Sequence, residues 1–163
     1  KLVNELYADV FYKTYGTPTI GLRYFNVFGP KQSPSGAYAA VIPLFMQCLK
    51  DDKAPTINGD GQQTRDFTFV ENAVQANIRA FFAPETAVNE VFNVACGDRI
   101  SVLDLWKTLQ EISGSGLQPE FGPSRKGDVR DSLADISKAV KLMGYDPQYN
   151  VEQGLQITWD QFT

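Results

Sequence analysis

Apolar residues recur along this chain with two different periods, and the switches between them predict the order of elements. Leu2/Val3, Leu6/Tyr7 and Val10/Phe11 repeat every four positions, which predicts an amphipathic helix over 2–15. Gly16 supplies its stop and Pro18 follows. Thr19 to Phe25 is a short apolar-rich run that reads as a buried strand. Asn26 to Gly36 holds Gly29, Pro30, Pro34 and Gly36 and reads as a loop. Helical spacing returns over about 39–51, where Pro43 is tolerable only near the first turn. Asn58-Gly59-Asp60-Gly61 is a turn between short strands near 55–58 and 64–69. Ala73/Val74, Asn77/Ile78 and Phe81/Phe82 predict a helix over 71–83 that ends before Pro84, and Val91 to Ala95 predicts a short buried strand. Ser101 with Asp104 three residues on resembles a capping box, opening a helix through about Ile112. Residues 117–134 read as extended or looped. Asp135 is placed to cap a helix over 136–143, and a last short helix is expected over about 151–162.

Strands alternating with helices put the chain in the α/β or α+β class. No G-x-G-x-x-G or G-x-x-G-x-x-G follows a strand, so no dinucleotide phosphate loop is encoded in these residues. The 163 residues suffice for one domain with a core. The opening is unusual, because the helical pattern is already running at Lys1 with no capping residue before it. It reads as a chain met in the middle of an element, without a secretory signal.

Composition narrows the chemistry. The net charge of −4 speaks against a broad cationic surface for nucleic acid, and no apolar run approaches the roughly 18 residues of a membrane helix. There is no histidine, which removes histidine bases, histidine triads and histidine metal ligands together; no metal is expected. Cys48 and Cys96 are expected to be buried, reduced thiols of a cytoplasmic protein.

Three stretches could carry chemistry, each with a plainer alternative. Asn26 stands at the C-terminal end of a strand, the edge where α/β sheets bind ligands. It could meet sugar hydroxyls or a phosphate, or only shape an Asx turn. Arg65, beside Asp66 on a strand, points to the opposite face and could fork onto a phosphate or pair with a surface carboxylate. Arg125 to Ser132 combines Arg125, Lys126, Gly127, Asp128, Arg130 and Asp131. It could hold a diphosphate and a ribose, or be a solvated loop.

Taken in order, the motifs resemble the extended short-chain dehydrogenase/reductase family of sugar-nucleotide epimerases and dehydratases. The residues carrying the resemblance are Lys1 with Asn4-Glu5 and Tyr7; Arg23 to Pro30; Val41-Ile42-Pro43; Gly59-Asp60-Gly61 with Arg65-Asp66-Phe67; Phe92-Asn93-Val94; and Gly127-Asp128 with Asp135 and Lys138. The resemblance implies the C-terminal part of a Rossmann-type α/β domain plus a small α/β substrate-binding domain. Residues 1–38 would be the Rossmann remnant. Residues 39–163 would be mainly the nucleotide-sugar domain, with some segments returning to the Rossmann part.

It further implies that Lys1 is the lysine of a Tyr-x-x-x-Lys motif, its tyrosine lying upstream, so that these residues alone are expected to be inactive. The ammonium would lower the tyrosine's pKa, and NAD, held mainly by an N-terminal half, would accept and return hydride. Lys1 and Tyr24 would contact NAD. Asn26, Val41, Arg65, Arg125 and Asp128 would contact the UDP-sugar, with Thr56 and Asn58 meeting uracil through their backbone. Ser132, where strict glucose/galactose epimerases resemble one another in carrying tyrosine, leaves room for a 2-acetamido group. Gln32 and the stretch Gly36 to Pro43 resemble the acetamido-sugar subgroup. The expected activity is UDP-N-acetylglucosamine/UDP-N-acetylgalactosamine interconversion by a cytoplasmic homodimer. A UDP-sugar decarboxylase, a nucleotide-sugar 4,6-dehydratase and a non-catalytic nucleotide-sugar-binding fragment are the alternatives.

Overall fold

The computed structural model describes residues 1–35 and 39–162. Gly36 to Tyr38, part of the stretch likened to acetamido-sugar epimerases and the seam of the expected domain division, lie outside the described residues. The elements run α1 (Leu2–Tyr15), β1 (Ile20–Tyr24), β2 (Val27–Phe28), α2 (Val41–Lys50), β3 (Thr56–Asn58), β4 (Thr64–Arg65), β5 (Thr68–Phe69), α3 (Val70–Phe81), β6 (Glu90–Val94), β7 (Ile100–Ser101), α4 (Val102–Ser113), β8 (Glu120–Gly122), α5 (Ser137–Met143) and α6 (Val151–Asp160). A 3₁₀ turn over Glu85–Ala87 leads into β6.

The strands pair two by two. β1 with β6, β2 with β5 and β3 with β8 are parallel, while β4 and β7 are antiparallel. Each parallel pair is closed by helical crossovers, as parallel strands require. Helix ends follow local chemistry. Gly16, Gly114 and Gly144 terminate α1, α4 and α5 in the left-handed region. The Ser101 hydroxyl accepts from the Asp104 N–H to cap α4. Pro43 falls at the third residue of α2, where its missing N–H leaves no helical bond unmade.

Two apolar clusters form. One joins α2, β3, α4 and α6 through Ile42, Phe45, Met46, Ile57, Leu105, Trp106, Leu109 and Leu155, with Phe28, Phe67 and Phe69 at its centre. The other packs β1 and β6 against α3 and α5 through Ala73, Ala76, Phe92, Val94, Ala139, Met143 and Tyr145. Helix α6 lies close on the first cluster at Gly154, where an added Cβ would stand 2.8 Å from Phe28 Cζ and 2.9 Å from Phe69 Cβ.

The structure departs from the sequence reading in five places. Thr19 to Phe25, expected as a buried strand, forms β1, but none of its residues is buried, because one side of it faces the open recess beside α1. The strand expected over 64–69 is broken between β4 and β5, because β4 pairs antiparallel with β7 while β5 pairs parallel with β2 in a separate sheet. β2 sits inside the expected loop, where Phe28 is buried and pairs with Phe69 of β5. Asp135 does not cap α5 by the expected geometry: it accepts from the Ser137 N–H in a preceding turn, and the helix starts two residues later. Cys48 and Cys96 are free thiols but only half-buried.

Candidate functional site

Seven of the nine residues put forward as substrate contacts line one cavity of about 300 Å³: Asn26, Val41, Thr56, Asn58, Arg65, Arg125 and Asp128. They arrive from five separate stretches of chain. The floor is apolar, made by Phe28, Phe45, Phe67 and Val102, and the rim is polar. This division suits a ligand with a planar or sugar body and a charged tail.

Asn26 occupies the bend between β1 and β2 with φ of 36°, a left-handed conformation that asparagine tolerates better than most residues. Its Nδ2 donates to the Asp66 carbonyl at 2.9 Å. β3 forms one wall, and its ladder fixes which backbone groups are free. The Pro55 carbonyl accepts from the Glu120 N–H at 2.9 Å, and the Gly59 N–H donates to the Gly122 carbonyl at 3.0 Å. Alternate residues of a strand face its partner, so Thr56 and Asn58 turn their backbone groups away from β8. The Asn58 carbonyl on that edge already accepts from Gln63 Nε2 at 3.0 Å.

The cationic side centres on Arg65. Its Nη1 donates to the carbonyls of Thr64 and Val129, both at 2.6 Å, and its Nη2 bonds the Asp128 carboxylate. A tight turn, Asp128 N–H to the Arg125 carbonyl at 3.2 Å with Gly127 at φ 83°, brings Arg125 and Asp128 to the same rim. Beneath lies Asp66. Its Oδ1 accepts from the Cys96 N–H at 3.0 Å, and its Oδ2 accepts from the N–H groups of Gly97 and Ala134 at 3.1 and 3.3 Å. Burial nonetheless pushes its carboxyl above the ordinary range.

Four residues stand elsewhere. Gln32 and Ser132 do not line this cavity. Gln32 Nε2 donates to the Val27 carbonyl at 3.3 Å, and its Oε1 is buried without a partner among the described residues. Ser132 is half-buried on the segment that crosses β4. Lys1 and Tyr24 border a second, open recess of about 1080 Å³ between α1 and the β1–β6 pair. The Tyr24 hydroxyl donates to Asn77 Oδ1 at 2.9 Å. In the same recess, Arg23 makes a two-pronged bond to Glu5 at 2.7 and 2.6 Å, which holds the Glu5 carboxyl below its ordinary range.

Gln63 and Asp66 were not among the expected site residues. Gln63 sits in the turn beside a recognised motif, but only the ladder register reveals what it caps. Asp66 was visible only as the neighbour of Arg65 on the opposite face of the strand, and its three donors come from 30 to 68 residues away.

A family model described as the NAD dependent epimerase/dehydratase family matches residues 1–95. An uncharacterized UDP-glucose epimerase of Bacillus subtilis, YtcB, is 36% identical over 155 residues, 95% of this chain and 48% of that protein. The crystal structure of UDP-glucose 4-epimerase from Thermotoga maritima, solved with UDP-glucose, superposes with a TM-score of 0.93 at 38% identity, covering 99% of this chain and 51% of that one. UDP-N-acetylglucosamine 4-epimerase from Methanobrevibacter ruminantium M1, in complex with UDP-N-acetylmuramic acid, gives a TM-score of 0.92 at 35% identity, covering 98% and 51%. The chain therefore spans about half the length of the relatives it matches, and its α/β fold is that of the corresponding half of these epimerases.

Proposed function

Since the chain belongs to the NAD dependent epimerase/dehydratase family, we propose that it supplies the nucleotide-sugar-binding part of a UDP-sugar 4-epimerase acting on the UDP-N-acetylglucosamine/UDP-N-acetylgalactosamine pair. The observation that carries this reading is the convergence of Asn26, Val41, Thr56, Asn58, Arg65, Arg125 and Asp128 on one cavity. The backbone edge of Thr56 and Asn58 that β8 leaves open, with the Asn58 carbonyl already accepting from Gln63, suits the donors and acceptors of uracil. Arg65 and Arg125 suit a diphosphate, because a guanidinium fork matches paired oxyanions. Asp128 can accept from ribose hydroxyls. Phe28, Phe45 and Phe67 would keep water from the base.

NAD, when bound, supplies the hydride exchange. The residues present fit only a fraction of it: Lys1 and Tyr24 border an open recess, and no glycine-rich phosphate loop stands in this chain. We assign those two residues to its nicotinamide end. Residues 1–38, with β6 and the helices packed on it, would form the Rossmann part, and 39–163 would form mainly the sugar-nucleotide part. The second apolar cluster, which joins β1 to α3, β6 and α5, supports such a return of later segments.

The acetamido assignment rests on Ser132 and Gln32, and is supported by the similarity to an epimerase named for UDP-N-acetylglucosamine. The test is turnover by the full-length protein on UDP-N-acetylglucosamine, UDP-glucose and UDP-glucuronate. Interconversion of the acetamido pair is expected to be fastest. A strong preference for the glucose/galactose pair would refute the acetamido assignment, and release of CO₂ from the glucuronate would refute epimerisation. Ser132→Tyr should lower acetamido turnover at least tenfold more than glucose turnover, the scale of about 1.4 kcal/mol of steric exclusion. Equal losses on both sugars would remove the steric gate.

A further inference from the structure

Between β8 and α5 the chain crosses the outer side of β4 as a strap, residues 123–134, and carries Arg125 and Asp128 to the cavity rim. Consecutive residues of the β4 region hold it. The Thr64 N–H donates to the Arg130 carbonyl at 2.9 Å, and the Thr64 hydroxyl donates to Asp131 at 3.1 Å. Arg65 grips the Val129 carbonyl and Asp128, and Asp66 accepts from Ala134. Two further fastenings lie apart from these: Arg99 Nη1 donates to Asp131 Oδ1 at 3.3 Å, and the second joins Arg130 to Asp60. Arg130 donates from Nη1 and Nη2 to Oδ1 and Oδ2 of Asp60 at 2.8 and 3.1 Å, a two-pronged bond between the strap and the β3–β4 turn. This bond holds the Asp60 carboxyl below its ordinary range.

Neither Asp60 nor Arg130 lines the cavity, and both side chains are more than half exposed, at 57% and 60%. An ion pair so exposed adds little to stability. Its geometry, however, ties the strap to the very turn that ends β3, the wall opposite. The turn packs tightly there, for a Cβ on Gly59 would lie 3.0 Å from the Ser124 hydroxyl.

We propose that Asp60 and Arg130 are positioning residues: their paired bond holds Arg125 and Asp128 at the distance from β3 that a nucleoside diphosphate requires, and so sets the residence time of the nucleotide. This rests on the nucleotide-sugar reading. It predicts a loss of affinity with little change in the turnover of saturated enzyme, because neither residue reaches the ligand.

The test is charge exchange in the full-length protein, with UDP as the probe in calorimetry and stopped-flow dissociation. Asp60→Arg and Arg130→Asp should each weaken UDP binding about five- to tenfold, mainly through faster release, since each sets like charges face to face. The double exchange should return affinity to within about twofold of the parent protein, because the opposite pair re-forms. A simple field effect on the diphosphate predicts something else: Asp60→Arg tighter, Arg130→Asp weaker, and no rescue. That pattern, or unchanged affinity in both single variants, overturns the proposal while leaving the nucleotide-sugar reading intact. A parent protein that binds UDP no better than inorganic phosphate overturns the reading itself. Should a reversal fail to fold, Asp60→Asn and Arg130→Gln remove the pair without repulsion. They are expected to raise KM about threefold at constant kcat, and a fall in kcat with KM unchanged counts against positioning.

Discussion

Replacing Gly154 by alanine sets two general effects against each other, and the structure decides which prevails. Gly154 lies inside α6, so helix propensity alone predicts a gain of about 1 kcal/mol. The space it faces argues the other way. An alanine Cβ there would approach Phe28 Cζ to 2.8 Å and Phe69 Cβ and Cδ2 to 2.9 Å. Phe28 could swing its ring tip, but Phe69 Cβ is the root of a fully buried side chain on β5 and cannot retreat without moving its strand. Overpacking of this kind costs about 1–3 kcal/mol, and a rooted obstacle places it near the top of that range. The net expectation is a destabilisation of about 1–2 kcal/mol after the propensity gain is subtracted. For a chain of this size that lowers Tm by roughly 2–8 °C. Urea denaturation of Gly154→Ala beside the parent protein measures it. A variant as stable as the parent, or more so, would mean that the helix does not approach the strands this closely, and the packing argument would fail on its sign alone. UDP affinity should fall with stability, because Phe28 lines the cavity.

Two more changes probe Arg65 and Asp66. Arg65→Lys should weaken UDP binding at least tenfold, about 1.4 kcal/mol or more, because an ammonium cannot bond two carbonyls and a carboxylate from one planar fork; affinity within twofold of the parent would show the fork to be dispensable. Asp66→Asn should be about 1–3 kcal/mol less stable at pH 7, since one amide oxygen cannot serve three N–H donors. The sign of its pH dependence follows from the raised carboxyl pKa. Raised above its ordinary 3.8, the group deprotonates more readily in the unfolded chain, so the folded state loses stability as pH climbs from 3.8 through the folded value. The stability gap between parent and Asp66→Asn should therefore widen as pH is lowered toward 4, and urea titrations at pH 4 and 7 measure it. A gap that narrows on acidification would mean that the three N–H donors outweigh burial.

The longer elements were legible because each repeats one signal several times. α4 shows Val102, Leu105, Trp106 and Leu109 on one face and a serine cap at its start, and the structure buries those four residues. α1, α3, β1 and β6 were equally plain. The two-residue strands β2 and β7 were not, because no period can be read from two residues, and β4 and β5 were read as one strand over 64–69. They exist where a distant partner supplies the ladder: Phe28 beside Phe69, Ser101 beside Thr64. Motif order located seven cavity residues, but not how they engage one another. That Arg65 bonds Asp128 depends on the path of a loop 63 residues downstream. That Gln63 caps Asn58 depends on which edge of β3 is left open. Both are settled by register and loop path, to which local periodicity is blind.

The stretch Thr64-Arg65-Asp66 shows why the core and the site cannot be separated in this fold. Alternation sends Arg65 to the cavity and Asp66 to the interior, yet both end on the same strap, one through Asp128 and Val129 and the other through Ala134. The Asp66 carboxylate accepts three N–H bonds, and bonds to a charged acceptor are individually stronger than neutral ones. It also couples the two ends of the strap's grip. A change that loosens Asp66 frees Ala134, and through Ala134 the segment bearing Ser132, Arg130 and Asp128. Asp66→Asn should therefore reduce UDP affinity as well as stability. Breaking the exposed Asp60–Arg130 pair by either single charge reversal should reduce affinity alone, and this difference separates anchoring in the core from alignment at the rim.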